Sequence, residues 1–192
     1  MPKLLTHVDG SIHLVNKLPS TLKKNLFLDK DGVLIKEVWR GEEVSSPRSI
    51  DEIVLEDSAE CLNKRKIVDN FNLVVVSNQP DIAREVIDLN FIVEMSEMIS
   101  KSIAIDLFIY CPHQSSDSCF CRKPDIGMID SYRTRYNTIS SDDWLVGDRE
   151  TDYELAKKYA FNYYMISKPY NSSCTLAKSQ IGKNLEDFVS IF

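Results

Sequence analysis

The chain has 192 residues, 43% apolar and 27% charged, a soluble globular composition long enough for one domain with a substantial core. Its 29 acidic against 23 basic side chains give a net charge of −6, which argues against a nucleic-acid binder, although a local cluster of Lys, Arg and a cation could still hold one phosphate. No apolar run approaches a membrane span and no charged-apolar-small signal opens the chain, so a cytoplasmic location with reduced thiols is expected.

Residues 1–20 read as an N-terminal extension. LLTHVDGSIHLV alternates loosely about Asp9-Gly10, a dipeptide suited to a two-residue hairpin turn. In such a hairpin His7 and His13 face opposite ways, and both are expected at the surface or the sheet edge. Leu18-Pro19-Ser20 then links into a main body over 21–192. There NLFLD (25–29), LVVVSN (73–78), LFIYC (107–111), WLVGD (144–148) and NYYMI (162–166) are near-continuous apolar runs, as strands buried on both faces should be. The intervening stretches 56–70, 89–104, 125–136 and 150–160 are long enough for helices. The alternation predicts an open, mostly parallel sheet covered by helices on both faces.

Four of the runs end in reactive or ligand-type groups: Asp29, Ser77-Asn78, Cys111 and Asp148. The carboxyl ends of parallel strands share one edge of an open α/β sheet, and ligands bind there. Asp29 and Asp31 stand at i and i+2 ahead of a Gly. Two such carboxylates repel and are costly to desolvate unless a cation lies between them, and a hard, oxygen-seeking ion such as Mg²⁺ suits them. WLVGDRETD supplies Asp148 and Asp152 at a later strand end. A lone Asp-x-Asp-Gly is most simply a turn; two acidic strand ends in one sheet ask for more.

Cys111-x-His113 and Cys119-x-Cys121 bring three thiols and an imidazole to either side of a short loop rich in Ser and Asp. Reduced surroundings, short spacings and four ligands suit tetrahedral Zn²⁺ better than a disulfide, and a full set of protein ligands makes the zinc structural. Arg122 and Lys123 follow directly, so fixing Cys121 fixes both cations. Cys61 and Cys174 read as isolated thiols.

DKDGV (29–33), SNQ (77–79), RKP (122–124) and GDRETD (147–152) stand in the order of the four motifs of haloacid dehalogenase-type phosphohydrolases, which the chain resembles over residues 24–166. The resemblance implies a Rossmann-like domain with no large cap, the interval from Asp31 to Leu73 being too short for one. It implies that Asp29 is the nucleophile, Asp31 the general acid and base, and Ser77 and Lys123 the donors to the phosphoryl oxygens. Mg²⁺ would be held by Asp29, the Asp31 backbone carbonyl and Asp148, with Asp152 fixing Lys123 or Asp148. Asn78, Gln79, Arg122 and Arg149 are expected around the substrate. Lys30 and Val33 both fall within the family's range, although many relatives carry Thr at the latter.

The zinc loop narrows the resemblance to the capless branch that includes the heptose bisphosphate phosphatases and the histidinol-phosphatases. SNQPDIAR and RKPDIGMI resemble the former, and the short loop between His113 and Cys119 the latter. The expected substrate is therefore a small phosphorylated metabolite, first D-glycero-D-manno-heptose 1,7-bisphosphate and alternatively histidinol phosphate. A non-catalytic phosphosugar-binding relative is the reading from another class. In segment 35–47, Glu37, Trp39 and Arg40 are candidate substrate contacts, an exposed loop being the simpler reading. No nucleic-acid or membrane partner is expected, and the chain should be a monomer or a small homo-oligomer.

Overall fold

The computed structural model describes residues 3–6, 10–138, 142–173 and 180–192. Its central sheet contains β1 (Lys3–Thr6), β2 (Ile12–Val15), β3 (Lys24–Leu28), β6 (Phe71–Asn78), β7 (Leu107–Cys111), β8 (Trp144–Gly147), β9 (Asn162–Ile166) and β10 (Ile181–Gly182). A separate hairpin pairs β4 (Val38–Arg40) with β5 (Glu43–Ser45). The helices are α1 (Arg65–Val68), α2 (Leu89–Ser102), α3 (Gly127–Tyr136), α4 (Glu150–Tyr159) and α5 (Leu185–Val189).

The order across the sheet is β1-β2-β7-β6-β3-β8-β9-β10. From β7 to β10 every pairing is parallel, while β1 and β2 run antiparallel at one edge. Successive side chains of a strand point to opposite faces, and both faces here are covered. Leu26, Leu28, Val75 and Val146 pack on one side with Ile92, Met95 and Ile99 of α2 and Phe188 of α5. Phe27, Val74, Val76 and Leu145 pack on the other with Met128 and Tyr132 of α3 and Leu155 of α4. This double burial is why the strands read as unbroken apolar runs.

The chain leaves β3 toward β6 on one side and later returns to place β8 on the other. The crevice at such a reversal is where open α/β sheets bind ligands. Leu28 pairs with both Val75 and Val146, and Asn78 pairs with Cys111, so the strand ends that carry Asp29, Ser77, Cys111 and Asp148 lie side by side.

Several expectations change. The stretch 56–70 is not one helix but a tight 3-10 turn over Ala59–Asn63 followed by α1, with Lys64 extended between them (φ −60°, ψ 138°). The break frees the Asn63 side chain to donate to Ser102 O (2.7 Å) and accept from Ala104 N (2.9 Å), closing the end of α2. Segment 35–47 contains the β4–β5 hairpin, turning through Gly41 at φ +67°, a conformation that suits glycine. The short β10 and α5 had no strong sequence signal. His13 is not at the surface: β2 joins the edge of the sheet, and the imidazole is buried, hydrogen-bonded to Ser11 and to Ser131 of α3, each at 3.1 Å. His7 and Cys174 lie outside the described residues. No described helix is long and apolar enough to cross a membrane.

Candidate active site and metal-binding loop

Asp29 follows β3, its N–H tied to Val146 O of the neighbouring strand at 2.9 Å. Across the switch point Asp148 follows β8, and Asp152 stands in the first turn of α4. Asp29, Asp148 and Asp152 are all buried, and each offers a carboxylate oxygen within 4.8 Å of the others. Two glycines make room for this approach. A Cβ at Gly32 (φ +86°) would sit 2.4 Å from Asp148 Oδ2, and one at Gly147 would sit 2.4 Å from the Asp152 Cβ.

One ammonium answers part of this negative charge. Lys123 Nζ lies 2.6 Å from Asp29 Oδ1 and 2.7 Å from Asp152 Oδ1, and donates to Val76 O at 2.8 Å. Burial alone would push its pKa down, but Asp152 and Asp29 outweigh it and hold the ammonium above its ordinary value. The ammonium thus donates to Asp29 and Val76 and is ion-paired with Asp152, and a bond to a phosphoryl oxygen draws it partly away from these partners. Asn78 grips the Lys123 backbone from both ends of its amide, accepting from the N–H (2.9 Å) and donating to the carbonyl (3.0 Å).

Asp148 remains uncompensated. Tyr170 O–H donates to its Oδ2, while its buried Oδ1 has no hydrogen-bond partner among the described residues. Burial first, then Asp29 and Asp152, raise the Asp148 carboxyl well above the usual carboxylate range. Asp152 is raised as well, by burial, with Lys123 opposing. A buried, partnerless oxygen among three acids is the environment a hard divalent cation relieves, and the donor set fits Mg²⁺.

Asp31 does not join the acidic cluster through its side chain. Its Oδ1 accepts from Lys30 Nζ at 2.5 Å, and its Oδ2 from Ser46 Oγ (2.7 Å) and Gln79 Nε2 (3.1 Å). Each carboxylate has its own cation, Lys123 for Asp29 and the fully buried Lys30 for Asp31. Gln79, expected at the substrate, is instead fully buried and spends its amide on Asp31 and on Ser77 Oγ (3.0 Å). Because Ser77 Oγ accepts that bond, its O–H is left to donate into the adjoining cleft.

That cleft encloses about 490 Å³ and is lined by Asp29, Asp31, Ser77, Asn78, Lys123, Arg122 and Arg149, together with Arg84 and residues Val44–Ser46 of the β4–β5 hairpin. A second cavity of about 440 Å³ shares Val44, Arg149 and Thr151 with it and reaches Asp148, Trp39 and Tyr170. Of the candidate contacts in segment 35–47, Glu37 is paired with Lys168 (3.0 Å), and Arg40 forks onto Glu52 (3.1 and 2.6 Å). Trp39 is half exposed, its ring 6.0 Å from that of Tyr170.

The second cluster lies beside the first. Cys111 Sγ is 3.6 Å from Cys119 Sγ, 3.2 Å from Cys121 Sγ and 3.6 Å from His113 Nδ1; His113 Nδ1 is 3.2 Å from Cys121 Sγ, and Cys119 to Cys121 is 3.7 Å. Tetrahedral Zn–S bonds of about 2.3 Å would give edges of about 3.7 Å, so the four atoms already form a cage of nearly the right size. The hydrogen bond with Cys121 is the main cause pulling Cys111 down to about 6, and the resulting thiolate drives Cys121 up, while Cys119 is raised mainly by burial. Only a bound dication lets all three ionise together. Arg122 Nη1 donates to His113 O (3.1 Å), and Gly10 of the β1–β2 turn packs so tightly on the imidazole that a Cβ there would lie 2.9 Å from His113 Cε1. The residues missed by the sequence reading are Lys30, Ser46, Tyr170 and Asn171. Lys30 was visible within DKD but not as a buried partner; the others carried no signal.

The profile of the polynucleotide kinase 3 phosphatase family matches residues 24–167. The histidine biosynthesis bifunctional protein HisB of Legionella pneumophila (strain Lens) is 32% identical over 156 residues, covering 78% of this chain and 43% of that protein. A "Probable D-glycero-D-manno-heptose-1,7-bisphosphate 7-phosphatase" of Thermoplasma volcanium is 29% identical over 149 residues, covering 74% and 98%. The chain thus spans less than half the length of its HisB relatives. In fold it is similar to D,D-heptose 1,7-bisphosphate phosphatase from B. bronchiseptica, solved with magnesium and phosphate, at a TM-score of 0.72 and 22% identity over 88% of this chain and 97% of that one. The corresponding enzyme from Burkholderia thailandensis gives 0.61 and 19%, over 88% and 98%.

Proposed function

The chain belongs to the polynucleotide kinase 3 phosphatase family of haloacid dehalogenase-type phosphatases, and from that premise we propose that it hydrolyses a small phosphomonoester through an aspartyl-phosphate on Asp29. The observation that carries this reading is the buried convergence of Asp29, Asp148 and Asp152, with Asp148 Oδ1 lacking a hydrogen-bond partner among the described residues and Lys123 seated on the nucleophile. Asp29 attacks phosphorus while Asp31 gives a proton to the departing alkoxide. Asp31 then takes a proton from the water that cleaves the acyl phosphate. Lys30, Ser46 and Gln79 hold the Asp31 carboxyl in place for both transfers. Ser77 and Lys123 receive the phosphoryl oxygens, and Arg122 and Arg149 meet a second anionic group. Mg²⁺, held by Asp29, the Asp31 backbone and Asp148, would supply charge neutralisation on the transferring group. Asp152 serves to hold Lys123.

Cys111, His113, Cys119 and Cys121 would hold a structural Zn²⁺ that fixes the loop carrying Arg122 and Lys123. The substrate we propose is D-glycero-D-manno-heptose 1,7-bisphosphate, supported by the relative from Thermoplasma volcanium, which this chain matches over nearly its whole length, and by the family resemblance of SNQPDIAR and RKPDIGMI. Histidinol phosphate is the second reading, favoured by the higher identity to the HisB proteins.

Inorganic phosphate release, measured with Mg²⁺ across both anomers of the heptose bisphosphate and histidinol phosphate, separates the two. Asp29→Asn should abolish release with every ester, and turnover that survives it would remove Asp29 as nucleophile. Tight phosphosugar binding without release would favour a non-catalytic relative.

A further inference from the structure

The segment Lys168–Asn171, just after β9, belongs to none of the four motifs, yet two of its side chains hydrogen-bond to Asp148. Asn171 Nδ2 donates to the backbone carbonyl of Asp148 at 2.7 Å and to Ile166 O at 2.9 Å, pinning the end of β8 to the end of β9. Lys168 anchors the other end of the segment, its ammonium 3.0 Å from Glu37 and 2.5 Å from Glu56. Between these anchors Tyr170 is held with its O–H on Asp148 Oδ2. Trp39 packs edge-on to the Tyr170 ring, and the Arg149 guanidinium lies 5.7 Å from the ring centre.

The two oxygens of Asp148 are thereby made unequal. Oδ2 is spent on Tyr170, and Oδ1 is left buried and, among the described residues, without a partner. Gly32 enforces the arrangement, since any Cβ at that position would collide with both Asp148 Oδ2 and the Tyr170 hydroxyl (2.4 and 2.7 Å). We infer that Tyr170 is a positioning residue that fixes the Asp148 carboxylate so that Oδ1 alone is presented to the divalent cation. The inference rests on the assignment of Asp148 as a ligand in the proposed function. Hydrogen bonds that orient a ligating carboxylate typically govern metal affinity by about 10–100-fold. Tyr170 does not line the cleft that holds Asp29, Ser77 and Lys123, so its effect should fall on cation binding rather than on the chemical step.

Tyr170→Phe keeps the ring and its packing and removes only the hydroxyl. Calorimetric titration with MgCl₂ should show at least about tenfold weaker binding than wild type. The Mg²⁺ concentration for half-maximal phosphate release should rise by the same factor, while kcat at saturating Mg²⁺ stays within about twofold. Tyr164→Phe, which removes a β9 phenol that lies against Gly182 near Asp187, should bind Mg²⁺ like wild type and controls for a general loss of packing.

Wild-type Mg²⁺ affinity in Tyr170→Phe overturns the inference, as does equal weakening in the Tyr164 control. Weakened Mg²⁺ binding in a protein that releases phosphate from no ester would leave the inference standing and remove the proposed function. Robust turnover with unchanged Mg²⁺ affinity in Tyr170→Phe would do the reverse. A wild-type protein that takes up no Mg²⁺ overturns both.

Discussion

Replacing Asp148 with Asn should stabilise the magnesium-free protein while destroying its response to Mg²⁺. Carboxylate oxygens of Asp29, Asp148 and Asp152 lie within 4.8 Å of one another, and at an effective dielectric of about 20 two unit charges at that separation repel by about 3.5 kcal/mol. Lys123 offsets part of this, and proton uptake by the raised Asp148 carboxyl relieves more, so the net gain from a neutral isostere is about 1–3 kcal/mol. The Asn carbonyl still accepts from Tyr170, and its amide donates where the partnerless oxygen stood. At about 2–4 °C per kcal/mol for a chain of this size, Asp148→Asn should melt about 2–12 °C above wild type in magnesium-free buffer. With Mg²⁺ at about 100 times its dissociation constant, wild type should gain about 2.7 kcal/mol and the variant almost nothing. Differential scanning calorimetry with and without Mg²⁺ reads both effects. A variant that melts below wild type without Mg²⁺, or that retains the full Mg²⁺ shift, would refute the reasoning.

Two further outcomes follow from the same geometry. Asp148 and Asp152 both have folded-state values above 3.8, so the folded protein binds more protons than the unfolded chain; their contribution is complete at low pH and is lost as pH rises through the raised values. Glu37 and Asp81 are lowered and act in the opposite sense, but only at acid pH. The melting advantage of Asp148→Asn should therefore widen as pH rises above the ordinary carboxylate range of about 4, and a constant or shrinking gap would contradict it. Cys121→Ser should drop zinc content, read by elemental analysis, below one ion per chain and cut turnover at least about tenfold through the misplaced Lys123 two residues on. Full turnover after zinc is removed would disconnect the loop from the site.

The parts of the fold that were legible share one property: their environment is uniform along the element. LFIYC and NYYMI coincide with β7 and β9 because each is buried on both faces, and no alternation interrupts the run. The stretch 56–70 misled because its length suits a helix, whereas Asn63 is drawn out to cap the neighbouring α2. His13 misled for a related reason. A hairpin on its own has exposed faces, and only its attachment to β7 under α3 encloses the imidazole.

The chain order of the motifs determined which strand ends carry acids, a Ser-Asn pair and a basic pair, because a side chain's chemistry and its place on a strand are both local properties. It also determined the four zinc-type ligands, whose spacing within one short loop leaves few other arrangements. Tertiary structure alone decided how the charges are shared out. Lys30 turns back onto Asp31, Gln79 turns inward instead of toward the substrate, and Tyr170, about twenty residues past the last motif, takes one oxygen of Asp148. Hydrogen bonds in a buried cluster are set by which groups meet there, and residues far apart in sequence meet only once the sheet has been assembled.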